Sequence, residues 1–100
     1  MIKHIVMWNL KSELSEDEKI TGAKRFKEEV EALKDVVSGA IDIKVTIDGI
    51  KSSTAELLLE SSFESIEALK EYEVHPEHLK IVAFAKTILC NRLCMDYISE

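Results

Sequence analysis

Residues 2–10 read IKHIVMWNL, and this stretch decides the fold. It is rich in β-branched and aromatic side chains and contains neither Gly nor Pro, which predicts a strand. Successive side chains of a strand leave on opposite faces. Ile2, His4, Val6, Trp8 and Leu10 therefore share one face, and Lys3, Ile5, Met7 and Asn9 the other. Both faces are largely apolar, so this strand needs cover on both sides.

The segments that follow supply one of the two covers. Ser15 with Glu18 three residues on forms a capping box, and Glu16, Asp17 and Glu18 suit the positive end of a helix. Ile20, Ala23, Phe26 or Lys27, Val30, Leu33 and Val37 recur at helical spacing, and Ser38-Gly39 ends the helix. The charged residues between Lys24 and Glu31 read as a solvated outer face. Residues 40–48, AIDIKVTID, alternate, with Ile41, Ile43, Val45 and Ile47 on one side. AELLLESSF, residues 55–63, alternates again after a polar loop, which predicts a hairpin. ESIEALKEY is a short helix with Ile66, Leu69 and Tyr72 inward, and HPEH opens another with Pro76 in its first turn. NRLCMDYI, residues 91–98, reads as a last strand.

The order β-α-β-β-α(α)-β predicts an α+β ferredoxin-like sandwich: one four-stranded antiparallel sheet with helices on one face. Ile5, Met7 and Leu58 then lie on the uncovered face. An apolar sheet face open to water predicts a partner, and a second copy of the same sheet packed against it is the usual symmetric solution. A homodimer through the sheet face, two sheets pairing into a dimeric α/β barrel, is the expected assembly.

The totals fit that picture. One hundred residues make a single domain, 1–100, with 46% hydrophobic and 32% charged residues. A net charge of −6 argues against nucleic acid or an anionic membrane surface as partner. No apolar run has the length of a membrane span, and the N-terminal stretch reads as structure rather than as a leader, so a cytoplasmic protein is expected. Cys90 and Cys94, if on one strand, stand about 13 Å apart, whereas a disulfide needs Cα atoms within about 7 Å. Both are expected to be small buried hydrophobes, kept reduced.

Three quoted stretches, MIKHIVMWNLK, FESIEALKEYEVHPEH and RLCMDYI, together resemble the stress-responsive A/B barrel family, also called Dabb. The similarity runs over essentially the whole chain. Its specificity lies in the combination of Lys3-His4, Tyr72…His75-Pro76-x-His78 and Asp96-Tyr97. The resemblance implies the ferredoxin-like fold and the barrel-forming dimer. Most bacterial members carry no assigned reaction, while some plant members resemble stress proteins or polyketide cyclases. Carried over by position, a cyclase-type site would use His4, Tyr72 and His78 as catalytic residues, without a cofactor. No matching apolar lining for a polyketide tail is visible in the sequence.

Two functional readings stand. One is a small homodimeric module that binds an apolar or carbonyl ligand in a His-lined cavity. The other is a cofactor-independent acid–base enzyme, a cyclase, lyase or isomerase, with His78 as base, Tyr72 as hydrogen-bond donor and His4 as proton partner. Against both stands a bland structural role, in which His4 is a hydrogen-bonded core residue and His75 caps its helix. Trp8, on the face of His4, and His75 are the candidate binding residues. No metal is expected: His75 and His78 are three apart, but a structural zinc takes about four ligands and no second pair is spaced to join them. Asp96-Tyr97 is expected to stabilise an edge or a dimer contact.

Overall fold

A computed structural model describes residues 1–100. The elements are β1 (Ile2–Leu10), α1 (Glu16–Ala32), a 3-10 turn (Leu33–Asp35), β2 (Ala40–Thr46), β3 (Leu57–Phe63), α2 (Ile66–Val74), α3 (Pro76–Ile88) and β4 (Leu89–Ile98). They build one antiparallel sheet in the order β2-β3-β1-β4. The ferredoxin-like α+β arrangement read from the sequence is the one observed.

β1 is central. On its helix side His4 pairs with Ser61 of β3 and Asp96 of β4, and Val6 pairs with Leu59 and Cys94. Val6, Val45, Leu57, Leu59 and Phe63 form the buried floor of the core. Phe26 and Val30 of α1, Leu69 and Tyr72 of α2 and Ile81 of α3 close it from above. On the opposite face Met7 stands between Leu58 and Leu93, and Ile5 between Glu60 and Met95. Leu93 and Met95 are each 67% exposed, so half of this face is an uncovered apolar patch. The other half is polar: Lys3 donates to Ser62 Oγ at 2.7 Å, and Lys44 pairs with Glu60 in register.

The capping box at Ser15 and Glu18 is present in both directions. Several edges of the sequence reading differ. Ile20 is exposed, because Gly22, not Ile20, meets α3, with Ile88 packed against it. Helix α1 stops at Ala32 and tightens into the 3-10 turn rather than running on to Ser38. Ile41 points outward because the register of β2 shifts between Ala40 and Asp42. Ile66 is exposed at the start of α2. β4 begins at Leu89, two residues early, because α3 passes into it without a loop. Lys27 and Glu31 are not idle surface charges. Glu31 accepts from the Val45 N–H at 2.9 Å, and Lys27 donates to the Val45 carbonyl at 2.6 Å and to Glu31 at 2.7 Å. The two side chains occupy the outward N–H and carbonyl of Val45 at the β2 edge.

Gly39 turns the chain from the 3-10 segment into β2 at φ +85, and a Cβ there would stand 2.7 Å from Ala68 Cβ. Left-handed backbone costs an L-residue about 1–2 kcal/mol before any clash. Gly39→Ala is therefore expected to destabilise by at least about 1 kcal/mol, seen as a lower urea midpoint at fixed protein concentration and unchanged slope. An unchanged midpoint would mean that the turn and α2 relax freely.

Candidate functional site

Helices α2 and α3 meet at a corner over β1 and leave a cavity of about 310 Å³ beneath them. Its walls come from the sheet, from α1 and from α3: Val6, Trp8, Leu59, Phe26, Val30 and Ile81 are among the apolar liners. The apolar lining that the sequence left unmatched is thus assembled from residues far apart along the chain. His4, Tyr72, His78 and Trp8 all face this space. His75 does not.

The corner explains the HPEH stretch. His75 is the N-cap of α3, its Nδ1 accepting from the Glu77 N–H at 3.1 Å. Pro76 follows at the position where a missing N–H costs nothing. His78 Nδ1 lies 3.1 Å from the Glu73 carbonyl, one of the last carbonyls of α2 and without an intrahelical partner. A carbonyl only accepts, so Nδ1 carries the proton and Nε2 keeps its lone pair. One histidine thus caps the start of α3 and the other the end of α2.

His4 is fixed from the opposite side. Its Nδ1 lies 2.5 Å from Asp96 Oδ1 on the adjacent strand. The carboxylate accepts, so this ring too carries its proton on Nδ1 and leaves Nε2 as the acceptor. The backbone carbonyl of His4 takes a 2.9 Å bond from the buried Ser61 hydroxyl. Tyr72 packs between the two histidines, with ring centroids 6.1 Å from His4 and 4.3 Å from His78. No protein group bonds the Tyr72 hydroxyl or the Nε2 atoms of His4 and His78, yet no fully enclosed side-chain nitrogen or oxygen lacks a partner. All three atoms are therefore open to solvent, on residues that line the cavity.

Their protonation follows from their surroundings. Burial pushes the Tyr72 phenol well above its ordinary range, Glu73 adds to this and Arg92 opposes it, so the hydroxyl stays a donor. Burial lowers His78. The Glu73 carbonyl works against this, and the neighbouring His4 adds to it. His78 is consequently a neutral base at neutral pH. The set offers one fixed donor and two lone pairs around an apolar space.

Asp96, Arg92, Lys86 and Glu73 were not singled out as site residues by sequence. Asp96 does not act with Tyr97: neighbours on a strand face opposite ways, so Asp96 serves His4 while Tyr97 joins the exposed apolar face. The cysteines are both free but not buried as expected, Cys90 being half-buried and Cys94 exposed on the edge strand β4; antiparallel pairing of β1 with β4 brings Cys94 Sγ to 3.8 Å from His4 Nδ1 and 3.6 Å from Asp96 Oδ1. His4, Cys94 and Asp96 are thus the three donors that lie close enough to hold a metal. Bonds of about 2.0–2.3 Å would set tetrahedral zinc ligands roughly 3.3 Å or more apart. The 2.5 Å contact of His4 with Asp96 is instead hydrogen-bond length, and burial, with Asp96 adding to it, pushes the Cys94 thiol up, away from a thiolate.

The fold and the cavity define a ferredoxin-like α+β domain with a His-lined pocket. The chain belongs to the stress responsive A/B barrel domain family, whose model matches residues 2–99. Among solved structures it is similar to a dimeric ferredoxin-like protein of unknown function from Bacteroides fragilis, with 31% identity over 96% of this chain and 93% of that one and a TM-score of 0.89. A Dabb family protein from Mesorhizobium loti aligns with 21% identity, TM-score 0.70, over 99% and 96% of the two chains. A hydroxynitrile lyase from Passiflora edulis aligns with 17% identity, TM-score 0.80, over 99% and 93%; at such identity the likeness is one of fold. No curated protein sequence matches significantly. The chain is a small Dabb module, and no helix is long and apolar enough to cross a membrane.

The His78 imidazole is expected to titrate below the ordinary value of 6.5 when followed by NMR. The unfolded chain then takes the proton first. The contribution of His78 to stability is complete above about pH 6.5 and is lost as pH falls through its lower folded value. His78→Gln should flatten that part of the stability–pH curve; an unchanged curve would place the acid sensitivity elsewhere.

Proposed function

We propose that this Dabb module acts as a homodimer joined through the open sheet face and binds a small, largely apolar carbonyl compound in the His4–Tyr72–His78 cavity. The observation that carries the ligand reading is that His4, Tyr72 and His78, whose two Nε2 atoms and hydroxyl have no protein partner, line one apolar cavity. An apolar pocket with a few convergent polar groups is the default form of a small-molecule site. Trp8, the single tryptophan of the chain, lines it and can report occupancy.

The dimer reading is supported by Met7, Leu58, Leu93 and Met95, which share one sheet face with Tyr97, and by the dimeric neighbour from Bacteroides fragilis. Contiguous apolar surface of this kind on a small domain marks an interaction site. Leu93→Asp should shift the protein from dimer to monomer in sedimentation velocity at micromolar concentration. A wild-type protein that sediments as a folded monomer would overturn the assembly.

One observation favours a catalytic role over binding alone. Asp96 holds His4 in a single tautomer from outside the cavity, an orienting bond that ligand binding by itself does not need. In this reading Tyr72 donates to the substrate carbonyl, and the neutral Nε2 of His78 removes a proton from the adjacent carbon. The His78 imidazolium then gives that proton to the enolate oxygen, to the alkoxide of an aldol closure or to another carbon, completing the enolisation, aldol closure or isomerisation, while the Nε2 lone pair of His4 accepts a hydrogen bond from the substrate. The test uses benzoylacetone as probe. Binding should change Trp8 fluorescence, and deuterium from solvent should enter the α-carbon. His78→Gln and Tyr72→Phe should lower that exchange about hundredfold or more while the fluorescence response persists. Exchange at equal rates in the variants would leave a binding module only, and no fluorescence response at millimolar probe would remove the site itself.

A further inference from the structure

The cavity mouth carries a feature that the acid–base set does not use. Leu93 pairs with Met7 and Cys90 with Asn9, so Asn91 and Arg92 stand opposite the single residue Trp8. This is a β-bulge, and Asn91 adopts φ 55, the one non-glycine residue in the left-handed region. Such a bulge bends a strand and re-aims side chains, and bulges concentrate beside functional sites. Here both bulge residues join the cavity wall, next to Tyr72 and His78.

We infer that Arg92 is a ligand-recognition residue and that the molecule taken by this cavity is an amphipathic acid, with its apolar body inside and a carboxylate at the mouth. The inference rests on the cavity being a small-molecule site. Arg92 makes no ion pair with any carboxylate of the chain. It stands close enough to influence Tyr72, His78 and Cys94. Lys86 of α3 is a second cation among the lining residues, against one carboxylate, Glu73. The opening is thus locally cationic on a chain whose net charge is −6. A guanidinium offers paired donors that match the two oxygens of a carboxylate. The apolar residues that make up most of the remaining lining take hydrocarbon.

The test compares octanoate with octanol on the intact protein, by calorimetry and by Trp8 fluorescence. Arg92→Gln should weaken octanoate binding tenfold or more and leave octanol within about twofold, because only the head group differs. Arg92→Lys should recover part of the octanoate affinity. Octanoate affinity should also fall with added salt while octanol affinity does not. If Arg92→Gln affects both ligands alike or neither, or if wild type takes octanol and refuses octanoate, the carboxylate assignment fails and the cavity reading survives. If wild type binds neither, both fail. Should the variant misfold, the salt dependence of the two ligands on wild type decides alone.

Discussion

The structure depends on one constraint: β1 has no side that water can keep. It is paired along both edges, by β3 and β4, and its side chains are apolar above and below the sheet. Burying one large apolar side chain stabilises by roughly 1.5–3 kcal/mol, so leaving either face wet would forfeit several such contributions in a domain of this size. The helices answer the upper face. The lower face has no answer within a single chain. Because strand side chains alternate strictly, a one-residue slip of β1 would put Lys3 or Ile5 where His4 stands and send the apolar set the wrong way. The pocket and the patch are two readings of one register.

Three polar side chains of the cavity are held by three different devices. A cross-strand carboxylate orients His4, an orphaned helix carbonyl orients His78, and enclosure keeps Tyr72 protonated. None requires a mobile loop. The two histidine anchors are backbone-level features, a strand register and a helix junction, so the spacing of the site is as rigid as the fold. The α2–α3 corner is economical in this respect, since His75-Pro76-Glu77-His78 both ends one helix and begins the next.

Strand and helix order, the central position of β1 and the two-faced sheet were legible because they rest on periodicity, which is local. His4, Tyr72 and His78 were legible as residue types from the family resemblance, and the HPEH turn from its proline. Asp96, Arg92 and the apolar lining were not. Asp96 meets His4 across 92 positions, and only the β1–β4 register decides that it faces inward while Tyr97 faces out. Arg92 depends on a bulge that no alternation pattern announces, and Asn91 gave no signal beyond its general tolerance of left-handed backbone. Lys27 and Glu31 looked like ordinary i,i+4 surface charges; their value comes from where β2 passes beneath them.

That last contact has a bearing on how the protein behaves when crowded. Endless stacking of strands into fibres needs two complementary rims, one to offer main-chain groups and one to receive them. At β2 the outward N–H and carbonyl of Val45 are already engaged by Glu31 and Lys27, and β4 carries the bulge at Asn91 and Arg92. Both rims are thus interrupted, an arrangement that disfavours rim-to-rim addition of further copies without a proline or an extra strand.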